Sequence, residues 1–301
     1  GTMSSILAGI ELNEERFLAL LTKLIGEAQH LQNNPAQGLI PREDNASDHV
    51  LKVLEPYSVA NGGPLEIERI TFVEGRGNVI IKYPGKTDKI VSFVGSHLDV
   101  VPADPSHWER DPFTLTREGD FLYGRGTTDC LGHVALVTDF FATLGELRPE
   151  LNTSIVAVLI ANEENGSFRG IGVDQLSKEG HLDALKAGPV YWIDAADSHP
   201  CQGTCGVIPW KIECHGRLFH SGLPHQAINA IEMATDVLNF LQAKFYSEFP
   251  RDPREDIYNF RTCSTLKPTQ VSCPDGSLNQ IQALCTIQGD IRLAPYQQEP
   301  T

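Results

Sequence analysis

The chain has 301 residues, 41% of them hydrophobic, and its 24 basic and 39 acidic side chains give a formal net charge of −15. This length and hydrophobic content allow a substantial buried core and predict two domains. The excess of acidic groups argues against nucleic acid and anionic membrane surfaces as partners, because the negative charges of both would repel the chain.

Two further features of the whole sequence bear on its cellular setting. No apolar run approaches the roughly 20 residues that a membrane span requires, and the start of the chain, Gly1-Thr2-Met3, has no signal-peptide pattern. The seven cysteines are an odd number scattered along the chain, which is typical of reduced thiols rather than of a disulfide framework. We therefore expect a cytoplasmic protein.

Hydrophobic periodicity predicts alternating helices and strands up to about Val207. The first element is an amphipathic helix over residues 11–29. Its apolar face is formed by Phe17, Leu18, Leu20, Leu21, Leu24 and Ile25. The apolar runs at 89–95, 154–161 and 189–193 are typical of buried strands, and such alternation predicts an α/β sheet.

The pattern changes in the last third of the chain. We expect a strand over 207–214, a polar loop over 250–256 and strands over 278–293. A long helix is expected over 229–249, with one apolar side formed by Ile231, Ala234, Val237, Leu238 and Leu241. Two strand regions around a helix favour a small α+β layer, so we divide the chain into domains at 1–206 and 207–301.

The first two candidate site residues lie where the run at 89–95 ends. His97 and Asp99 are two residues apart, a spacing that points both side chains to one side of a strand. A histidine that binds a metal commonly donates its other ring N–H to a carboxylate, so Asp99 is a candidate to orient His97. About thirty residues later, a glycine-punctuated loop holds Asp129 at the start of a predicted helix.

More carboxylates follow the next two apolar runs. Glu163 and Glu164 come after the run at 154–161 and would repel each other unless a cation lies beside them. Asp194 ends the run at 189–193, with Asp197 three residues further on. Each acid alone could be a loop acid or a helix cap, but parallel strands bring their carboxyl ends together. The ordered set therefore predicts a metal site.

In this order, the residues resemble a known family of co-catalytic zinc hydrolases. The His-x-Asp pair, the Gly-Arg-Gly-x-x-Asp loop ending at Asp129, the Glu-Glu pair and the acid after the next strand are similar to those of the acetylornithine deacetylase, succinyl-diaminopimelate desuccinylase and glutamate carboxypeptidase family, which also includes carnosinase. Segments 191–197, 206–210 and 219–225 most resemble the acetylornithine deacetylases of plants and related eukaryotes. The resemblance implies a zinc-peptidase-like catalytic domain, a mixed sheet flanked by helices, and a smaller α+β lid that also pairs two chains as a homodimer.

The resemblance also implies roles for single residues. It makes four residues ligands of two zinc ions, for which cobalt could substitute: His97, Asp129 as the bridge, Glu164 and Asp194. Asp99 would orient His97, and Glu163 would be the general base. The choice of Asp194 over Asp197 rests on its place directly after the predicted strand and on its spacing to Pro200.

The resemblance extends to the second domain. It implies that His220 reaches across the dimer to stabilise the tetrahedral oxyanion in the partner's site. Asn279 and Arg292 are candidates to bind a substrate carboxylate. From the residues alone, His220 could equally be an ordinary loop histidine, and Arg292, which lies in a predicted strand, could form a structural ion pair.

The activity implied is hydrolysis of an N-acyl amino acid, with N2-acetyl-L-ornithine, an intermediate of arginine biosynthesis, as the expected substrate. A dipeptidase or carboxypeptidase of the same family is one alternative. A catalytically inactive partner or regulatory form is another, because no histidine follows His225, whereas the family has a further histidine ligand near its carboxyl end. We accordingly expect the catalytic domain to lack its C-terminal part.

Overall fold

A computed structural model describes residues 10–195 and 205–297 of the chain. The chain divides into two units, Gly1–Asp197 and Ser198–Thr301, and each is described by itself. Within the described residues, no helix has both the length and the apolar character that crossing a bilayer demands.

The first unit is built on a five-stranded mixed sheet. Its helices and strands, in chain order, are α1 (Glu14–Glu27), α2 (Glu43–Leu54), β1 (Glu66–Thr71), β2 (Gly77–Tyr83), β3 (Ile90–His97), β4 (Thr116–Glu118), β5 (Phe121–Tyr123), α3 (Leu131–Leu147), β6 (Ser154–Ile160), α4 (Val173–Lys178) and β7 (Val190–Trp192). The strand order is β1-β2-β6-β3-β7, and β4 and β5 form a separate hairpin. Strands β6, β3 and β7 run parallel, whereas β1 and β2 are antiparallel to their neighbours. The predicted mixed sheet is therefore confirmed.

Helices cover both faces of this sheet. On one face α1, α2 and α3 pack over the strands, and Leu24, Val50, Phe141 and Leu159 are fully buried between them. On the other face Leu176 of α4 packs with strand residues in a second, smaller cluster. Burying a side chain of this size contributes about 1.5–3 kcal/mol, so these contacts hold the helices against the sheet.

The start of α1 follows from its cap. The Asn13 side chain accepts a hydrogen bond from the Arg16 backbone N–H, and Glu14 and Glu15 lie in the first turn, where acidic groups are favourable. The helix therefore begins at Glu14, inside the predicted range of 11–29.

Strand β3 lies inside the sheet and contains an irregularity just before its carboxyl end. Its register with β6 shifts between Val94 and His97. Gly95 has a φ of 105°, and a Cβ atom there would lie 2.6 Å from the Trp192 ring of β7. Only glycine accepts both conditions without strain. Bulges of this kind re-aim side chains, and here the strand delivers His97 to the end of the sheet.

The second unit is a small α+β layer, as predicted. Its helices and strands are β8 (Gly206–His215), β9 (Phe219–His220), α5 (Ala230–Glu248), α6 (Pro253–Ile257), β10 (Thr265–Ser272), β11 (Gln280–Ile281) and β12 (Leu284–Leu293). β12 lies between β10 and β8, and β9 pairs with β11 in a two-stranded ribbon. β8 begins at Gly206, beside the predicted domain start at 207.

Two details of this unit differ from the sequence prediction. Residues 250–256 are not wholly a loop, because Asp252 and Glu255 form a capping box that starts α6. On α5, Ala234 is buried as predicted, but Ile231 and Val237 are exposed. Periodicity places these residues on one side of a helix, but it does not show how much of that side the sheet covers.

Candidate metal centre

The residues predicted to form the site lie at the ends of neighbouring parallel strands. His97 ends β3, Glu163 and Glu164 follow β6, and Asp194 follows β7, while Asp129 lies in the loop before α3. Donor atoms of His97, Asp129 and Asp194 all lie within 4.8 Å of one another. The structure therefore brings an imidazole and two carboxylates together at one edge of the sheet.

His97 is fully buried at the centre of this group. Its Nδ1 lies 2.8 Å from the backbone carbonyl oxygen of Asp99, to which Nδ1–H donates. Nε2 lies 2.9 Å from Oδ1 of Asp129 and 3.6 Å from Oδ1 of Asp194. With Nδ1 held in this way, the ring directs Nε2 at the carboxylates, as a metal-binding histidine directs its free nitrogen at its metal.

The charges around His97 favour a cation at this point. Burial alone would lower the pKa of His97, but the neighbouring carboxylates of Asp129, Asp194 and Asp99 raise that pKa far above its usual range. Burial alone would raise the pKa of Asp194, yet the nearby His97 ring and the hydrogen bonds donated by the Ala195 backbone N–H and Trp192 Nε1–H hold it well below the usual value. Asp197, the alternative to Asp194, lies outside the described residues.

The loop that carries Asp129 folds tightly against the start of α3. Gly126 has a φ of 95°, and a Cβ at Gly132 would lie 2.0 Å from the backbone oxygen of Thr127. These two glycines let the loop turn back, and the Asp129 carboxylate faces His97 while its side chain stays 46% exposed. The Asp129–Cys130 peptide bond is cis.

Cys130 lies beside the site but acts as part of its wall. Its Sγ is in the same cluster of donor atoms and accepts a hydrogen bond from the His97 backbone N–H at 3.0 Å. Cys130 is fully buried, and this burial raises the pKa of its thiol. A protonated thiol that already holds the backbone of His97 is a poor metal ligand.

Asp99 anchors the segment that carries the two glutamates. Its buried carboxylate accepts hydrogen bonds from the backbone N–H groups of Glu163 and Glu164, each at 3.0 Å, and from Asn33 Nδ2 at 2.7 Å. Burial would raise the pKa of Asp99, but hydrogen bonds with His97 and these donors lower it. Asp99 therefore contacts His97 chiefly through its backbone carbonyl, and its carboxylate positions Glu163 and Glu164.

Glu163 and Glu164 differ in their surroundings. Glu163 Oε2 lies 3.8 Å from His97 Nε2, and burial together with Asp194, Asp99 and Asp129 raises its pKa. Burial and the Asp129 charge raise the pKa of Glu164 to about 7. Among the described residues, the buried Glu164 Oε1 has no hydrogen-bond partner.

These residues fit a divalent cation. A buried carboxylate oxygen without a partner is costly, and a metal ligand role would remove that cost at Glu164. Imidazole nitrogen and carboxylate oxygen are ligands that zinc accepts. The carboxylates around His97 repel one another, and a bound cation would offset that repulsion.

Sequence reasoning missed the residue that fixes the backbone before Glu163. Asn162 has a left-handed φ of 58°. Its Oδ1 accepts hydrogen bonds from Asn33 Nδ2 at 3.0 Å and Arg76 Nη2 at 3.1 Å, and its Nδ2 donates to the Phe168 carbonyl at 2.7 Å. Asparagine is among the few residues that tolerate this conformation, so Asn162 ahead of two glutamates was a signal in the sequence.

A buried ion pair supports Asn162 from behind. Arg76 Nε donates to Oε2 of Glu43 at 2.9 Å and Nη2 donates to Oε1 at 2.6 Å. Glu43 Oε1 also accepts from the Asn162 backbone N–H at 3.2 Å. Through Asn33, this network reaches Asp99 and therefore the glutamate segment. The spacing of Asn33, Glu43 and Arg76 in the sequence does not predict this network.

In the second unit, His220 and Asn279 lie together. The imidazole Nε2 of His220 is 3.3 Å from Asn279 Nδ2, and Nδ1 accepts a hydrogen bond from the Gly222 backbone N–H at 3.0 Å. The Asn279 Nδ2 group can only donate, so a donor faces each ring nitrogen of His220. Arg292 is engaged differently, because its Nε donates to Asp290 at 2.7 Å, an ion pair that favours the structural alternative.

The sequence of the chain matches a known protein family and curated relatives. The profile of peptidase family M20/M25/M40 matches residues 93–271. The chain is 55% identical over 287 residues to the acetylornithine deacetylase of Arabidopsis thaliana, which covers 95% of this chain and 65% of that protein. It is 50% identical over 303 residues to the acetylornithine deacetylase of Dictyostelium discoideum, covering 98% of this chain and 68% of that protein.

A solved structure is similar in fold. The di-peptidase Dug1p from Saccharomyces cerevisiae superposes with a TM-score of 0.65 at 16% identity, over 95% of this chain and 71% of that one. The identity is low, so this likeness bears on the fold alone. The chain thus spans about two thirds of the length of the relatives it matches.

Proposed function

The chain belongs to peptidase family M20/M25/M40, and from that premise we propose that it is a metal-dependent hydrolase of N-acylated amino acids. The observation that carries the proposal is the convergence of His97, Asp129 and Asp194, with Glu163 beside them, at the ends of parallel strands. The names of the two relatives favour N2-acetyl-L-ornithine as the substrate, with L-ornithine and acetate as products. We propose that this reaction serves arginine biosynthesis in a cytoplasmic setting.

We propose that the metal is zinc, with two ions in a complete site and cobalt able to substitute. The residues that would hold the ions are His97, Asp129, Glu164 and Asp194. When bound, such a pair of ions supplies a water that is acidic enough to ionise near neutral pH and polarises the substrate carbonyl. The unpartnered Oε1 of Glu164 supports its inclusion in this set.

Glu163 is the proposed general base. Its raised pKa makes it a stronger base than an ordinary carboxylate, and its side chain is 33% exposed, so a substrate can reach it. Glu163 would take a proton from the attacking water as the new C–O bond forms, and then give that proton to the amine nitrogen as the amide C–N bond breaks. The Asp99 carboxylate accepts hydrogen bonds from the backbone N–H groups of Glu163 and Glu164 and would hold both residues in position during the two proton transfers.

The second unit supplies the proposed oxyanion and carboxylate contacts. With a proton on Nε2, His220 would be a donor suited to the tetrahedral oxyanion, and Asn279 beside it is the candidate for the substrate carboxylate. Arg292 would have to share its guanidinium between Asp290 and that carboxylate. We propose that residues 207–301 pair two chains so that His220 serves the partner's site. Light scattering that finds only monomer at tens of micromolar protein would contradict this arrangement.

The proposal is tested by separating the two glutamates. Losing the base leaves the metal bound and removes a proton transfer that contributes roughly 10²–10⁴-fold in rate, whereas losing a ligand lowers metal affinity. We expect Glu163→Gln to bind zinc like the unmodified chain while acetate release from acetylornithine falls by roughly 10² or more. We expect Glu164→Gln to lose zinc affinity in calorimetric titration. Glu109→Gln, at a surface glutamate, is the matched control and should change neither quantity.

Other outcomes would redirect the proposal. Near-normal turnover by Glu163→Gln would refute its role as the base. Faster cleavage of dipeptides than of acetylornithine would keep the chemistry and change the substrate to that of a dipeptidase. Less than one zinc per chain together with no turnover would favour an inactive or regulatory form.

A further inference from the structure

Three cysteines form a row across one end of the sheet in the second unit. Cys214 on β8 is directly opposite Cys285 on β12. On the other side of β12, Ser272 is opposite Thr286, so Cys273, the next residue after Ser272, comes beside Cys285. Residues directly opposite each other project from the same face of a sheet, and Cys285 is therefore flanked by a thiol on each side.

The spacing of such a row suits disulfide formation. Opposed residues of antiparallel strands have Cα atoms about 4.5–5.5 Å apart, which lies within the roughly 4.4–6.8 Å that a disulfide spans. The thiol of Cys273 is also close enough to that of Cys285 to contribute to the raised pKa of Cys285. Within the described residues, the only set of donor atoms that converges as a metal site requires is the one around His97, so the thiol row is suited to pairwise bonding.

Exposure selects one of the two possible pairs. Cys285 is 1% exposed and Cys214 is 8% exposed, and both pack in the core under α5. Cys273, in contrast, is exposed. A dissolved oxidant therefore reaches Cys273 first, and the thiol that lies against it is that of Cys285.

This pair brackets a loop that carries a proposed binding residue. Residues 274–284 connect Cys273 to Cys285, and Asn279 lies in the middle of them. Within this loop, the Asn279 carbonyl accepts a hydrogen bond from the Ser221 backbone N–H at 2.8 Å. The loop also contains β11, which pairs with β9 and so with His220. A covalent bond at the base of the loop would fix both ends of the segment that holds Asn279 against His220.

We propose that Cys273 and Cys285 are a redox-sensitive thiol pair that hydroperoxides close into a disulfide around the Asn279 loop. The Cys273 thiolate attacks hydrogen peroxide, so an S–O bond forms, the O–O bond breaks and hydroxide leaves, to be protonated to water. The Cys285 thiol then attacks the oxidised sulfur of Cys273, its proton passes to the hydroxyl group as the S–O bond breaks, and a second water leaves. Two thiols and one peroxide thus give one disulfide and two waters, with the two sulfurs losing two electrons in total.

The modification itself does not depend on the reaction, but its effect on turnover rests on the proposed function. Closing the disulfide fixes both ends of the loop, so that Asn279 and His220 lose the freedom to adjust to a bound substrate. A displacement of about 1 Å at a positioned group can cost on the order of 10²-fold in rate. Oxidation would therefore lower acetate release, and reduction would restore it.

The test treats the full chain with hydrogen peroxide and maps the products by intact mass and peptide mass spectrometry. We expect the loss of two hydrogens and a peptide linked through Cys273 and Cys285, reversed by dithiothreitol. Cys214→Ser should give the same linkage, and Cys273→Ser should give none. A Cys214–Cys285 linkage, or over-oxidised Cys273 without a linkage, would overturn the proposal.

Two further readouts follow the loop and the activity. After peroxide treatment, hydrogen exchange of residues 274–284 should slow in the unmodified chain and in Cys214→Ser. It should not change in Cys273→Ser. Acetate release should fall roughly tenfold or more on oxidation and recover with reductant in the same two proteins. Unchanged turnover in a chain that carries the linkage would refute the effect on activity. No turnover in the reduced chain would count against the proposed function, and the mass spectrometry would then test the thiol pair by itself.

Discussion

The buried ion pair between Arg76 and Glu43 allows a test of how much the network behind the candidate site stabilises the first unit. Only 6% of the Arg76 side chain and none of the Glu43 side chain is exposed. Replacing Arg76 with methionine keeps much of the volume but removes all of its hydrogen bonds to Glu43 and the one to Asn162. The Glu43 carboxylate is then left in the interior without a counter-charge.

The size of the effect follows from that uncompensated charge. Removing one partner of a buried ion pair costs about 3–5 kcal/mol, which is roughly a 100- to 5,000-fold change in the folding equilibrium. For a unit of this size, each kcal/mol lowers the midpoint of thermal unfolding by about 2–4 °C. We therefore expect Arg76→Met to lower the midpoint of the first unit by about 6–20 °C.

Circular dichroism during heating measures the midpoint, and hydrogen exchange of β6 peptides assigns the loss to the first unit. Arg69→Met is the matched control, because Arg69 pairs with the exposed Asp48 and such surface pairs contribute at most about 1 kcal/mol. The double variant Glu43→Gln with Arg76→Met removes both charges and should be more stable than Arg76→Met alone. The reasoning fails if Arg76→Met is as mild as Arg69→Met, or if the double variant is the least stable of the set.

Three further predictions concern single side chains. His97→Ala should lower zinc or cobalt affinity in calorimetric titration, and equal affinity in the variant and the unmodified chain would show that the ligand set is wrong. Asn162→Gly keeps access to the φ of 58°, whereas Asn162→Ala adds about 1–2 kcal/mol of strain; both should weaken zinc binding, and the alanine variant should be the less stable in urea unfolding, so equal stabilities would argue against a strained backbone there. Burial and the Cys273 thiol raise the pKa of Cys285 to about 11, so its thiolate forms only as the pH rises toward that value and its alkylation by iodoacetamide should accelerate across this range; a rate that levels off near pH 9 would contradict the shift.

Much of the fold follows from local patterns in the sequence. The apolar runs at 154–161 and 189–193 correspond to β6 and β7, and the periodic segment at 229–249 corresponds to α5, whose start is set by the Asn229 cap. Strand order also places His97 and Asp194 at one edge, because parallel strands present their carboxyl ends together. These features depend on neighbours in the chain or on a general rule of sheets.

The parts that escaped prediction depend on contacts between distant segments. Arg76 and Glu43 are 33 residues apart, and Asn33 is 66 residues from Asp99. No spacing rule links such residues, and their polar or charged side chains would ordinarily be assigned to the surface. The same limit applies to Asp99, whose carboxylate turns from His97 to the backbone of Glu163 only because the folded chain brings β6 beside β3.

The irregularity in β3 also constrains how this chain can change in length. Val94 is paired with Val158 and His97 with Ile160, so β3 advances three positions where β6 advances two. Side chains alternate between the two faces of a strand, so deleting one residue here would restore regular pairing and carry the imidazole to the opposite face. The sheet would survive such a deletion, but the imidazole would leave the group that it forms with Asp129 and Asp194. The candidate site therefore depends on one extra residue in this strand.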